Sequence, residues 1–435
     1  MMPGRRAILI AWIACCCGSF VDAVLAQPPI ESLRDGFKRF QQGRLTLITD
    51  LPIDEELRAW PDVLDQAIAI WTEQWRLESV RVKDWRLTAY LIGDRKRFAE
   101  SGLVPQIPSF EDGYQLQDTI FLTEQPSVYY RRHLFLHEAT LWAMYRSFGG
   151  AGSPWFMEGM ADLYGTHRFT DRKLAIGIGP KQSSEVPQWG RFKRLQDMLA
   201  REDIPSLRQI VSYTNDSGNR MDRYVWSWAA CVFFVNHPEY RDAFFAAAEP
   251  PLDYSMTLSK KLLDALEDRW SFVVADWNGF LSDFDFGYVP DRSMPRVESV
   301  AWTDLDAGAS VDRKVNSAMG WQPAGVRVHR GDTLQLSAEG SYQVGVGTNG
   351  KTWISQPQGI TIRYVEHQPL GRLMAAIVPI GGNEHTRRWD SIAIGRNAKL
   401  PIDEDGLLML KINDAVGDLE DNEGSLQVVI TSVTP

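Results

Sequence analysis

Apolar positions recur at helical spacing over residues 55–76, while the flanking stretches 45–49 and 87–92 alternate or run apolar in the manner of strands. A third short strand is expected over 119–122. From there the periodicity is helical almost without interruption, over 128–148, 155–164, 224–236 and 270–284. The pattern changes at Gly287-Tyr-Val-Pro-Asp-Arg-Ser-Met-Pro295, where glycine and two prolines end the helical run. Beyond it, the stretches 326–329, 333–337, 360–364, 407–412 and 426–430 read as short strands between Gly, Asn and Asp turns. The pattern predicts a multidomain chain: an α+β domain over 27–286, a linker over 287–300, and an all-β sandwich over 301–435.

Composition supports two cores, since 44% of the 435 residues are hydrophobic and 16 are tryptophan. A formal net charge of -10 argues against nucleic acid or an anionic membrane as partner and favours solubility and cation binding. The first 26 residues set Arg5 and Arg6 before an apolar run and end in Val24-Leu25-Ala26, a secretory signal peptide that predicts a secreted or periplasmic protein. No later apolar run is long enough to cross a bilayer, so no transmembrane helix is expected in the mature chain. Cys15, Cys16 and Cys17 leave with the leader; a lipoprotein anchored at one of them is the alternative, although none follows a good lipobox. Cys231 then has no partner for an internal disulfide and is expected as a buried thiol.

The candidate chemistry lies in two neighbouring helices. Residues 131–141 read Arg-Arg-His-Leu-Phe-Leu-His-Glu-Ala-Thr-Leu, and 153–162 read Ser-Pro-Trp-Phe-Met-Glu-Gly-Met-Ala-Asp. Residues four apart on a helix point the same way, so the two imidazoles of a His-Glu-x-x-His motif can grip one zinc ion while the glutamate polarises bound water. His137 and Glu138 fill the first two places, and Leu141 fills that of the second histidine. A leucine has no lone pair to donate. Ser153 as N-cap and Pro154 at the first helical position open the next helix, which presents Glu158 and Asp162 on one face.

Together these segments resemble gluzincin-like peptidases of the peptidase MA type over most of residues 40–285. The resemblance implies a zincin-like fold, with His137 and Glu158 as the remnant of a zinc site and Asp162 supporting His137 from behind. It makes Glu138 the base and Tyr224 the transition-state-stabilising tyrosine of an active enzyme, and strand 119–122 the edge that receives a peptide. His133 also lies four residues from His137 and is the substitute ligand in an irregular zinc site. The plainer reading places His137 as a hydrogen-bonded core histidine on an apolar stripe with Tyr130, Leu134, Leu141, Met144 and Phe148. His167 and His237 lack partners at ligand spacing and read as surface or packing residues.

In the C-terminal part, Asp414, Asp418, Asp421 and Asn422 crowd one loop between strands, a supply of hard oxygen ligands suited to Ca²⁺ in an order that no EF-hand uses. That loop, with Gly320-Trp321, Gly331-Asp332, Gly340-Ser-Tyr342 and Pro357-Gln-Gly359, resembles the calcium-dependent galactose-binding bacterial lectins of the PA-IL type. The resemblance implies side-chain oxygens from Asp414, Asp421 and Asn422 and backbone carbonyls from Tyr342 and Asp418. A solvated acidic hairpin loop is the alternative. His367 and Gln368 are candidate sugar contacts, but Glu366-His-Gln-Pro369 is shorter than the lectins' sugar loop and leaves galactose specificity unsupported. Trp321, Trp353 and Trp389 either stack on a sugar or pack in a core.

Three functions follow from these residues. The first is an exported, non-catalytic metallopeptidase-like protein with a carbohydrate-binding-like domain, taking glycan or peptide ligands. The second is an active zinc peptidase with an irregular site, acting on envelope or extracellular glycoproteins. The third is a structural envelope scaffold. Leu141 favours the first, because catalytic zinc sites tolerate the loss of a protein ligand badly.

Overall fold

A computed structural model describes residues 29–103, 110–201, 204–214, 219–381 and 386–433. The expected leader, with Cys15, Cys16 and Cys17, lies outside the described residues.

Six strands open the chain: β1 (Ile30–Ser32), β2 (Lys38–Gln42), β3 (Leu45–Thr49), β4 (Leu87–Ile92), β5 (Gly113–Leu116) and β6 (Thr119–Thr123). They form one sheet in the order β1-β2-β3-β4-β6-β5, parallel across β3, β4 and β6 and antiparallel elsewhere. Helix α1 (Glu55–Gln74) supplies the crossover between β3 and β4, and Asp54 caps it by accepting from Leu57 N at 2.9 Å. Two short helices follow, α2 (Ser79–Val82) and α3 (Arg95–Ser101).

The long helix α4 (Val128–Phe148) starts where Ser127 accepts from Tyr130 N and stops where Gly149 turns left-handed at φ 79°. It lies against the sheet and α1, with Trp60 stacked on Phe135 at 4.3 Å between ring centroids. Helix α5 (Pro154–Gly165) follows, then the hairpin β7 (His167–Thr170) and β8 (Lys173–Ile176). Ser153 stands at the N-cap position of α5, but its hydroxyl donates to Ser255 O at 2.8 Å instead of capping the helix.

The remaining helices are α6 (Arg191–Ala200), α7 (Leu207–Ile210), α8 (Arg220–Asn236), α9 (Arg241–Ala247), α10 (Thr257–Leu266), α11 (Trp270–Asp283) and α12 (Pro290–Ser293). Helices α5 and α8 approach closely because α5 carries Gly159. A Cβ there would stand 2.4 Å from Ser227 O and 2.5 Å from the sulfur of the buried Cys231.

The C-terminal region is β-rich. It contains β9 (Thr303–Asp304), β10 (Ser310–Asn316), β11 (Gln322–Val328), β12 (Thr333–Glu339), β13 (Tyr342–Val346), β14 (Thr352–Ser355), β15 (Gln358–Val365), β16 (Gln368–Val378), β17 (Ile392–Ala393), β18 (Asn397–Pro401), β19 (Gly406–Ile412), β20 (Asn422–Glu423) and β21 (Ser425–Val433). One sheet runs β10-β21-β12-β18, a second runs β15-β16-β19-β11-β9, and β14-β13-β20 form a third, smaller one. Leu334, Leu336, Val428 and Ile430 of the first sheet share a core with Val326, Leu373, Leu408 and Leu410 of the second.

The opposite face of the second sheet is covered as well. Met374, Ala376, Leu407 and Met409 meet Ala275 of α11, Trp321 and Trp389 in a separate apolar cluster. Every residue of β19 is therefore buried, Lys411 included. The segment expected as a linker is packed, with Tyr288, Ser293, Met294 and Val297 all buried.

Candidate functional site

The spacing of α4 places His133, His137 and Leu141 along one side, one turn apart each. Facing them across a close helix pair, α5 supplies Glu158 and Asp162, also one turn apart. His137 Nε2 lies 3.4 Å from Glu158 Oε2, and its Nδ1 lies 3.5 Å from Asp162 Oδ1. The same Asp162 oxygen stands 3.3 Å from His133 Nε2. Ligand atoms of His133, His137 and Asp162 all fall within 4.8 Å of one another.

Asp162 has a further partner that the sequence did not reveal. Arg191, at the start of α6, donates through Nε to Asp162 Oδ2 at 2.9 Å and through Nη2 to Oδ1 at 3.2 Å. Both residues are buried. Burial alone would raise the Asp162 carboxyl, but Arg191 and the two imidazoles hold it well below the usual carboxylate range. For His133 burial wins, and its pKa is lowered despite Asp162. For His137 burial is outweighed by Asp162, Glu158 and the nearby Glu138, which raise it to about 10.

His133, His137, Glu138, Leu141, Glu158 and Tyr224 line one cavity of about 390 Å³. Burial lifts Glu138 to about 7 against the pull of His137. Its carboxylate presses on Gly113 of β5, where a Cβ would come within 2.4 Å of Oε1. Tyr224, in the first turns of α8, accepts from Arg220 Nε at 2.6 Å, and burial and Glu158 push its hydroxyl pKa up. Arg220 and Tyr224 are four apart on a helix, a pairing that was available in the sequence. Gly113 carries no signal of its own in the sequence, because the strand it opens is only four residues long.

The strand expected as the open edge, 119–122, is interior. Strand β5 pairs with its outer side, so among the described residues β5 is the outermost strand at that end of the sheet, and Gly113, Tyr114 and Gln115 border the cavity. His167 and His237 are buried away from this cavity. His167 Nδ1 stands 2.8 Å from Gly165 O, and His237 Nε2 stands 2.9 Å from Pro295 O.

In the C-terminal region, the loop after β19 brings Asp414 and Asn422 together, with Asn422 Nδ2 donating to Asp414 Oδ2 at 2.9 Å. Arg363 of β15 stands between the loop's acids, paired with Asp414 and with Asp418. Asp421 Oδ2 accepts from Val346 N at 3.0 Å, and the Tyr342 hydroxyl donates to Gly371 O at 2.5 Å. His367 is exposed at the tip of the β15–β16 hairpin, next to Gln368, whose Oε1 accepts from Arg372 at 3.1 Å. Trp321 and Trp389 are buried and Trp353 is partly buried against the core, so packing accounts for all three.

No protein-family model matches the chain, and no curated protein matches it. Among solved structures it is similar to the N-terminal domain of EclA, a PllA-like lectin, at 20% identity over 28% of this chain and 94% of that one, with a TM-score of 0.22. It is also similar to the IMPa metallopeptidase from Pseudomonas aeruginosa, at 12% identity over 80% of this chain and 37% of that one, with a TM-score of 0.18. The structure of IMPa in complex with an O-glycopeptide matches at 12% identity over 91% of this chain and 48% of that one, with a TM-score of 0.17. The chain thus spans about half of IMPa or less. At these TM-scores neither likeness bears on what the site does.

Proposed function

We propose that this chain is an exported binding protein whose metallopeptidase-like part holds an extended peptide or glycopeptide ligand without cutting it. The observation that supports this reading is the position of Leu141. It lines the same cavity as His137, Glu138, Glu158 and Tyr224, so a hydrocarbon side chain stands where a zinc hydrolase of this type would carry its second histidine. Catalytic zinc normally takes three protein ligands and a water. The bordering strand β5, outermost on that side among the described residues, offers its edge to an extended ligand.

The test compares metal content and peptide hydrolysis in the wild type and Leu141→His. The wild type is expected to carry no stoichiometric zinc and to cleave no peptide, whereas Leu141→His gains measurable zinc affinity. Without metal the variant is expected to lose about 1 to 3 kcal/mol of stability, because a polar ring replaces an aliphatic side chain. One zinc per chain in the wild type, lost on His137→Ala or Glu158→Ala, overturns the reading.

A second reading rests on the compact trio His133, His137 and Asp162, which could hold zinc on its own. Arg191 weighs against it, because a guanidinium already engages both Asp162 oxygens. Zinc lost on His133→Ala identifies that site.

A further inference from the structure

The acidic loop 414–422 is where the lectin resemblance implies calcium, and its residues do not fit that ion. Ca²⁺ takes six to eight oxygens. Asp414, whose side chain is fully buried, already uses both of its own. Oδ1 accepts from Ala415 N at 2.7 Å and pairs with Arg363, while Oδ2 accepts from Asn422. Asp418 Oδ2 accepts from Arg363 Nη1 at 2.6 Å, and Asp421 Oδ2 is held by Val346 N.

Asn422 turns its amide nitrogen toward Asp414. That orientation is set by Ser317 O, 3.0 Å away, which can only accept. The carbonyl oxygen of Asn422 is left buried without a partner among the described residues, but with Asp414 fully engaged and Asp418 tied to Arg363 the remaining side-chain oxygens fall short of a calcium shell.

We propose that Arg363 does the work of the metal: its guanidinium is an internal cation that neutralises and cross-links Asp414 and Asp418, so that the loop keeps its shape without calcium. The chemistry suits the task. A planar fork with a permanent charge can bind two carboxylates at once, and β15 delivers it from outside the loop. Asp418 is half exposed, but Asp414 is not, and a buried carboxylate needs a partner.

The experiment uses the full chain, with CaCl₂ titrated by calorimetry and thermal melts recorded in Ca²⁺ and in EDTA at neutral pH. The wild type is expected to take up no Ca²⁺ saturably up to millimolar concentration and to melt at the same temperature in both. Arg363→Gln is expected to melt several degrees lower, and Arg363→Lys or millimolar Ca²⁺ added to Arg363→Gln to recover part of that loss. Saturable uptake of one Ca²⁺ by the wild type overturns the proposal, because the guanidinium is then merely displaced by metal. So does an Arg363→Gln variant that melts with the wild type, or a loss that neither Lys nor Ca²⁺ relieves, since the loss then reports packing and not charge. If Arg363→Gln does not fold in EDTA, the wild-type titration still decides.

Discussion

Asp162 accepts from a guanidinium and faces two imidazoles while sealed from solvent, so the charge on Arg191, with His137 behind it, makes its burial tolerable. Arg191→Met would strand that carboxylate and is expected to lower stability by about 3 to 5 kcal/mol in urea denaturation. Adding Asp162→Asn should return part of the loss, and additive losses in the double variant would show that the two do not act as a pair. Helical spacing put Glu158 and Asp162 on one face of their helix, but only the family resemblance paired that face with His137. Arg191 was not legible. It lies 29 residues beyond Asp162 and arrives through a left-handed turn at Gly190, with no periodic signal of its own. Arg363 was hidden for the same reason, 51 residues before Asp414 on a separate strand.

Between elements, the geometry of the site depends on how closely α5 can lie on α8. Gly159 sits between Glu158 and the α8 backbone, and Gly159→Ala would drive a methyl into Ser227 O and the Cys231 sulfur. Overpacking of this kind is expected to cost about 1 to 3 kcal/mol. It should also weaken any zinc affinity gained through Leu141→His, because Glu158 moves with its helix. An unchanged melting temperature in Gly159→Ala would show that the helices adjust freely. The elements themselves could largely be read from the pattern: residues 45–49, 87–92 and 128–148 coincide with β3, β4 and α4. Strand β5 escaped because it is four residues long and contains glycine, and missing it misplaced the edge of the sheet.

Across the whole molecule, the helical part and the β-rich region meet through Lys411 of β19 and Asp283 of α11, 3.0 Å apart and nearly buried. Lys411 also lies over the Trp321 ring, and Gly279 of α11 leaves room for Trp389, whose ring a Cβ there would approach to 2.5 Å. The two parts are therefore expected to melt in one calorimetric transition. Asp283→Ala, which leaves a buried ammonium unpaired, should lower that transition by about 3 kcal/mol or more. Two well-separated transitions in the wild type would contradict this. The pattern of strands and helices could not tell that the second sheet is covered on both faces, since alternation reports burial and not by what.

The two-sided burial of β19 also governs how the chain can be divided. A piece beginning after Met294 would leave behind α11 and bare the apolar side of its own sheet, with Trp321, Met374, Met409 and Trp389 turned to water. Such a fragment would be sticky and prone to self-association. The β-rich region therefore does not behave as a cassette that can be spliced onto another protein, and grafting it elsewhere would require a new helix to roof that sheet.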